Sequence, residues 1–92
     1  MTKEELLENV ETLTDEPYVL ILHNDDFNTF KWVIRCLIII CDHQPTQAEQ
    51  CANIVHFNGS CDVKRGDKKT IRVQYKKLQD AGLTVTMEKQ PN

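Results

Sequence analysis

Apolar residues recur along this chain with two different spacings, and these spacings predict where its strands and helices lie. An uninterrupted apolar run, Tyr18-Val19-Leu20-Ile21-Leu22, predicts a buried strand. Three later segments carry apolar residues at steps of three and four, the helical period, and two short segments alternate as half-buried strands do. The predicted elements are, in chain order, a strand over 18–23, helices over 30–42 and 46–57, a strand over 60–64, a helix between Asp67 and Ala81-Gly82, and a strand over 83–88.

Residues at the ends of the predicted helices have side chains that commonly cap them. Asn28 or Thr29 can accept a backbone N–H at the start of the first helix. Thr46 and Glu49 have the spacing of a capping box for the second helix, and Gly59 suits the left-handed position after its last turn. Arg65-Gly66-Asp67 predicts a turn in which the aspartate caps the third helix.

The element order β-α-α-β-α-β limits the possible folds. A chain of 92 residues makes one small domain with a modest core. We expect an α+β fold over residues 17–89, in which three helices pack on one face of a small, three-stranded, mainly antiparallel sheet. Residues 1–16 are rich in Glu and Thr, and we expect a flexible acidic extension whose apolar residues have helical spacing. Residues 90–92 are expected to fray.

Charge and hydropathy argue against several classes of function. The formal net charge is −3, which gives no electrostatic reason to expect nucleic-acid binding. The apolar run from Val33 to Cys41 is interrupted by Arg35 and is shorter than the roughly 20 residues that span a bilayer. The first residues are acidic, unlike the basic start of a secretory signal. We expect a cytoplasmic monomer that binds neither nucleic acid nor membrane.

The four cysteines could serve the core, a disulfide or a metal. The spacing of Cys36, Cys41, Cys51 and Cys61 matches neither a C-x-x-C pair nor a zinc framework. Cys36 and Cys51 fall on apolar helix faces, where a free thiol behaves as a small core hydrophobe. We expect reduced, structural cysteines. A disulfide scaffold, or a zinc site from Cys41, His43 and a third ligand, remains an alternative.

The segment after the first strand concentrates the side chains that can carry chemistry. Asn24, Asp25 and Asp26 follow the strand directly, and His56 lies near the end of the second helix. Three consecutive residues cannot supply the roughly six to eight oxygen ligands of Ca²⁺. No nucleophile elbow or Gly-rich phosphate loop supports a catalytic role for an Asp–His pair. We therefore expect no metal, no cofactor and no enzymatic activity. The commonest role of such a segment is a turn and a helix cap.

A second role for the same side chains is recognition of a primary ammonium. An ammonium carries a positive charge and N–H donors, and carboxylate, amide oxygen and neutral imidazole nitrogen are acceptors that match it. Such a site forms if the end of the second helix packs beside the Asn24-Asp25-Asp26 loop. Four apolar residues on the helix faces would then form a hole beside it: Phe30, Val33, Ala52 and Val55. An amine with an adjacent apolar side chain is the N-terminus of a peptide.

Two stretches of the sequence together resemble the ClpS adaptor family. Residues 19–34 contain the first, with His23-Asn24-Asp25-Asp26-Phe27 at its centre. Residues 48–59 contain the second, which ends in Val55-His56-Phe57-Asn58-Gly59 and is similar to a family pattern of Val-His-Tyr-x-Gly. The distance between the two also fits the family without a gap, and the resemblance covers about residues 17–89.

The resemblance implies an N-recognin, an adaptor without a catalytic role. Such an adaptor binds the first residue of N-degron substrates, usually Leu, Phe, Tyr or Trp. It delivers them to a Clp AAA+ unfoldase, ClpA or ClpC, which feeds the ClpP protease. An interaction domain that regulates the unfoldase without reading N-termini is the alternative from another class.

The resemblance also implies which residues form the site. By their place in the motifs, Asn24, Asp25 or Asp26, and His56 hold the α-amino group. An imidazole that accepts a hydrogen bond must be neutral, so binding is expected to weaken below about pH 6. The residues expected to line the side-chain pocket are Leu22, Thr29, Phe30, Val33, Ala52, Val55 and Leu83.

Two pocket positions depart from the family pattern. Phe30 and Ala52 stand where Met is common in the family. The Phe30 side chain fills space in the pocket, and the small Ala52 side chain leaves space. This change predicts an altered preference among Leu, Phe, Tyr and Trp, and acceptance of branched residues. The segment between Gly59 and the third helix does not match the family, so no residues that contact the unfoldase are assigned there.

Overall fold

A computed structural model describes residues 17–90, so the expected extension at 1–16 and the last two residues lie outside it. The elements within 17–90 are β1 (Tyr18–His23), α1 (Phe30–Cys41), α2 (Pro45–Asn58), β2 (Ser60–Gly66), α3 (Lys68–Asp80) and β3 (Val85–Lys89). β1 lies between β2 and β3 and pairs antiparallel with both. The predicted α+β class and the β-α-α-β-α-β order are confirmed.

The apolar run of β1 is central because the core forms around it. Leu20 and Leu22 are 0% and 1% exposed, and they share one hydrophobic cluster with side chains from all three helices. Leu37 of α1 and Leu78 of α3 in that cluster are each 0% exposed. Each such side chain contributes roughly 1.5–3 kcal/mol when it leaves water. The first strand and the helices are therefore held together by the same core.

Local capping chemistry sets three of the helix ends. The Thr29 hydroxyl accepts the Trp32 N–H at 3.1 Å at the start of α1, and the Asp67 carboxylate accepts the Thr70 N–H at 2.7 Å at the start of α3. Gly59 ends α2 with φ of 95°, a left-handed conformation that glycine adopts without strain. These three predictions are confirmed.

The predicted capping box at Thr46 is wrong. Helix α2 begins at Pro45 and follows Gln44, whose side chain makes no capping hydrogen bond. Proline fits the first helical position because its missing N–H is not needed there and its φ is already helical. Thr46 therefore lies inside the first turn rather than before it.

Two strand boundaries also differ from the prediction. β2 continues through the predicted turn at Arg65-Gly66, because its pairing with β1 extends to Tyr18 opposite Gly66. Leu83 precedes β3, which begins at Val85. The Leu83 N–H donates to the Leu78 carbonyl at 3.1 Å, so this residue closes the end of α3 instead of joining the sheet.

The cysteines are free thiols, as predicted, and Cys36, Cys41 and Cys51 are buried. Burial raises the pKa of Cys41 to about 11. Burial, followed by a hydrogen bond with Cys51, raises the pKa of Cys61 to about 12. These two thiols therefore stay protonated at neutral pH and are poor nucleophiles.

Within residues 17–90 no cluster of three or more metal-ligating side chains could hold an ion. In the same range, no helix has the length and apolar character needed to cross a membrane.

Candidate functional site

The ladder between β1 and β2 brings the loop after β1 to the end of α2. Its last pair joins His23 to Ser60, and the Asn24 N–H then donates to the Gly59 carbonyl at 2.8 Å. Gly59 is the residue that ends α2, and His56 lies one turn before it. The loop residues and His56 therefore meet, as the amine-site hypothesis requires.

Asp25 closes this loop from within. One of its oxygens accepts the backbone N–H groups of Phe27 at 3.0 Å and Asn28 at 2.9 Å. The other accepts the Asn28 side-chain amide at 2.8 Å and the Thr84 hydroxyl at 3.0 Å. Burial alone would raise the pKa of Asp25, but these hydrogen bonds lower it below the ordinary value. Both oxygens of this ionised carboxylate are thus engaged in holding the loop.

The far side of the loop is tied to the segment between α3 and β3. The Asn28 side-chain amide donates to the Gly82 carbonyl at 2.9 Å, and the Trp32 indole N–H donates to the Ala81 carbonyl at 3.0 Å. The Thr84 hydroxyl adds a third link, to Asp25. The loop is therefore anchored on both sides, which fixes the direction of its remaining polar side chains.

The polar side chains that take no part in these links are Asn24 and Asp26 of the loop and His56 of α2. All three are exposed, and none makes a side-chain hydrogen bond to another residue of the described range 17–90. The His56 ring stands edge-on to the Phe57 ring, with centroids 5.0 Å apart. A carboxylate, an amide and an imidazole are therefore available to a ligand at this position.

These side chains open onto a cavity of about 450 Å³. This is within the range of roughly 300–1,000 Å³ that holds small ligands. The loop and His56 provide its polar wall, and α1 and α2 provide its apolar wall. Its lining consists of Asn24, Asp25, Asp26, Asn28, Phe30, Val33, Ala52, Val55 and His56.

All four residues expected at the amine site and four of the seven expected at the pocket line this cavity. The other three do not. Leu22 and Leu83 are 1% and 4% exposed and belong to the core, and the Thr29 hydroxyl caps α1. Asn28 lines the cavity but was expected only as a possible cap, because its contacts with Asp25 and Gly82 depend on the fold.

Apart from Phe30, the apolar wall is formed by small or short side chains. Ala52 and Val55 of α2 are 3% and 4% exposed, and Val33 of α1 is half-buried. Phe30 is 42% exposed, so much of its ring faces solvent rather than the protein interior. The position of Ala52 leaves space in the cavity that a longer side chain would occupy.

Comparisons with known proteins agree with this fold. Residues 13–86 match the family model described as "ATP-dependent Clp protease adaptor protein ClpS". A ClpS from Thermosynechococcus vestitus and one from Nostoc sp. are each 36% identical to this chain over 69 residues. Those matches cover 74% of this chain and 73% and 71% of the two relatives.

A solved structure has the same fold. The structure of Agrobacterium tumefaciens ClpS2 bound to L-phenylalaninamide superposes with a TM-score of 0.78 at 21% sequence identity. The match covers 82% of this chain and 98% of ClpS2. Family model, relatives and fold together show that this chain belongs to the ClpS family of Clp protease adaptors and is an adaptor rather than an enzyme.

Proposed function

We propose that this adaptor is an N-recognin. Its cavity binds the free α-amino group and the bulky hydrophobic first side chain of N-degron substrates, and the adaptor delivers them to a Clp AAA+ unfoldase, ClpA or ClpC, for degradation. One observation carries this proposal. A single cavity combines three polar side chains that have no partner within residues 17–90 with an apolar wall.

The two adjacent aspartates have different roles in this proposal. Asp26 supplies the negative charge for the ammonium, the Asn24 amide oxygen and the neutral His56 imidazole accept its N–H groups, and Asp25 positions the loop. Asp25 is the positioning residue because its two oxygens already accept four hydrogen bonds. Because Asp25 holds the loop, the loop backbone loses little further entropy when a ligand binds.

The expected energies agree with recognition of a single residue. Burial of a Leu or Phe side chain contributes roughly 1.5–3 kcal/mol. An ammonium with several charge-assisted hydrogen bonds adds about 2–5 kcal/mol in total. The sum is about 3.5–8 kcal/mol and reaches the roughly −8 kcal/mol of a micromolar complex at its upper limit. Binding is therefore expected to be micromolar or weaker, so the adaptor can release its substrate to the unfoldase.

The ligand of the related structure supports the same chemistry. L-Phenylalaninamide, bound to Agrobacterium tumefaciens ClpS2, carries a free α-amino group and a phenyl side chain. We expect this chain to bind peptides that begin with Leu, Phe, Tyr or Trp. Space beside Ala52 extends this expectation to branched residues such as Ile.

Fluorescence anisotropy tests the proposal directly. Dye-labelled peptides that begin with Leu or Phe are titrated with the adaptor beside the same peptides acetylated at the α-amino group. Acetylation removes the charge and adds bulk, so we expect an affinity loss of at least about 30-fold. If neither peptide binds, or if both bind equally, the cavity does not read N-termini. An unfoldase-binding regulatory domain is then the correct description.

A further inference from the structure

A second concave surface lies at the other end of α1. It is a groove of about 440 Å³ between the C-terminal half of α1 and helix α3, and we call it the α1–α3 groove. Its apolar part is open to solvent, since Ile39 and Val73 are 67% and 51% exposed. The residues that line it are Ile39, Ile40, Asp42, Lys69, Thr70, Val73, Gln74 and Lys77.

Gln74 gives this groove an unused acceptor. The residue is 8% exposed, and its side-chain amide donates to the Ile40 carbonyl at 3.5 Å. Its side-chain oxygen, Oε1, is buried and has no hydrogen-bond partner within the described part of the chain. Buried polar atoms normally have a partner, because an unpaired one keeps the full cost of leaving water.

The charges around the groove select an acidic ligand. Lys69 and Lys77 line it from α3, and the same helix carries three further cations and one carboxylate. Asp42 is the one carboxylate in the described lining. An occupant should therefore have an apolar stripe, several carboxylates and a single cation to match Asp42.

Residues 1–16 of this chain have that composition. They contain six Asp or Glu and a single lysine, Lys3, a net charge of −5. Since the whole chain has a net charge of −3, residues 17–92 carry +2. Their apolar residues recur at helical spacing and would form one stripe: Leu6, Leu7, Val10 and Leu13.

We propose that residues 4–13 dock in the α1–α3 groove of their own chain as a short amphipathic helix. Their leucines and Val10 cover Ile39 and Val73, and their carboxylates pair with Lys69 and Lys77. Isolated helices of this length are marginal in water, so the groove supplies the stabilising contact.

The position of β1 makes the contact possible. The Lys68 ammonium lies 5.8 Å from the centre of the Tyr18 ring, so the start of β1 is beside the first turn of α3. Ten helical residues are about 15 Å long, and the stretch of α3 from Lys69 to Lys77 is about 12 Å. Residues 14–16, when extended, span a further ~10 Å. The segment therefore has both the reach and the length to fill the groove.

Amide hydrogen exchange, followed by NMR on the full 92-residue chain, tests this proposal. We expect slowed exchange at residues 4–13, and a loss of at least about threefold of that protection in Leu6→Ser/Val10→Ser. The Lys69→Gln/Lys77→Gln variant should show a similar loss. The methyl resonances of Ile39 and Val73 should shift in the Leu6→Ser/Val10→Ser variant.

A matched variant separates groove contacts from general attraction. Arg72→Gln/Lys76→Gln removes two charges from the same helix outside the groove lining, and protection should stay within about twofold of wild type. Equal losses in the two charge variants would overturn the proposal. So would exchange at unprotected rates in wild type, or protection that rises with protein concentration, which would place the segment on a second copy of the chain.

Discussion

The cavity and the α1–α3 groove lie at opposite ends of the same helix, α1, and differ in the sign of their charge. The N-terminal half of α1 gives Phe30 and Val33 to the cavity, whose polar groups are carboxylates, amides and an imidazole. The C-terminal half gives Ile39 and Ile40 to the α1–α3 groove, where Lys69 and Lys77 dominate. Apolar walls of this kind accept many hydrocarbon groups. The polar groups beside them decide whether the ligand is a cation or an anion.

The two surfaces also differ in how their polar groups are held. In the cavity, both oxygens of Asp25 accept hydrogen bonds that hold the loop, while its neighbour Asp26 lines the cavity without a side-chain partner inside the described range. In the groove, the buried Oε1 atom of Gln74 has no hydrogen-bond partner among residues 17–90. The cavity is thus preorganised for a small charged group, while the groove offers a longer and less specific contact.

The largest effect is expected from removing a negative charge from the cavity. Asp26→Ala removes the carboxylate that we propose pairs with the ammonium, and we expect a loss of about 10- to 100-fold in affinity for a Leu-initiated peptide. The free energy of unfolding should change by less than about 0.5 kcal/mol, because the side chain is exposed. Anisotropy titration and urea unfolding measure the two quantities.

Asp62→Ala is the matched control for this change. Asp62 is also exposed and lies on β2, outside the cavity lining, and its loss alters the net charge by the same amount. Affinity should stay within about twofold of wild type. Equal losses in both variants would mean that the cavity responds to net charge rather than to a local contact.

The next effect tests whether Asp25 holds the loop. Asp25→Asn leaves acceptor capacity but removes the charge that strengthens its hydrogen bonds, and we expect a loss of about 1–2 kcal/mol in the free energy of unfolding at pH 7. Peptide affinity should fall as a consequence of the disturbed loop. A variant with unchanged stability and reduced affinity would instead assign Asp25 to the ligand.

The same variant has a predictable pH dependence. The folded-state pKa of Asp25 is lowered, so its contribution is fully present above the ordinary value of about 4 and is lost as pH falls through the lowered value. Wild type and Asp25→Asn should therefore differ in the free energy of unfolding at pH 7 and converge toward pH 2. A difference that stays constant over this range would show that ionisation of Asp25 does not stabilise the fold.

A smaller effect concerns the apolar wall. Ala52→Met fills space inside the cavity, and we expect about 3- to 10-fold weaker binding of Ile- and Phe-initiated peptides, with a smaller change for Leu. Titration of the three peptides against both proteins gives the ranking. An unchanged ranking would show that Ala52 does not shape specificity. The variant Ile54→Met on the exposed face of α2 controls for a general effect of Met on the helix.

The smallest effect concerns the start of α1. Thr29→Ala removes the cap that accepts the Trp32 N–H, and we expect a loss of about 1 kcal/mol in the free energy of unfolding. Affinity should change by less than about threefold, since Thr29 lies outside the cavity lining. Thr29→Ser keeps the hydroxyl and should restore stability. A large affinity loss in Thr29→Ala would place this residue in the pocket after all.

Much of the fold could be predicted from the sequence because its signals are local. The apolar run of β1, the Thr29 cap and the glycine after α2 each act within a few residues, and all are found where expected. The extension of β2 through Gly66 could not be predicted, because it depends on pairing with Tyr18, which lies 48 residues earlier in the chain.

In the site, too, the local features could be predicted and those that depend on distant residues could not. Asn24, Asp26 and His56 could be selected because their chemistry matches an ammonium. Two adjacent aspartates cannot be told apart by sequence, and only the Thr84 hydroxyl, 59 residues away, and the neighbouring loop N–H groups identify Asp25 as the one that holds the loop. Leu22 and Leu83 have side chains that would suit an apolar pocket, but both pack in the hydrophobic core instead.

The hydrogen bond between the Asn24 N–H and the Gly59 carbonyl limits insertions and deletions at the junction between α2 and β2. It joins the two polar halves of the site directly, with no flexible linker between them. One residue inserted between His56 and Ser60 would either turn the imidazole by about 100° around the α2 axis or shift β2 against β1, which reverses the faces of its side chains. Either outcome separates His56 from Asp26. Insertions or deletions at this junction should therefore abolish peptide binding, even in variants that still fold.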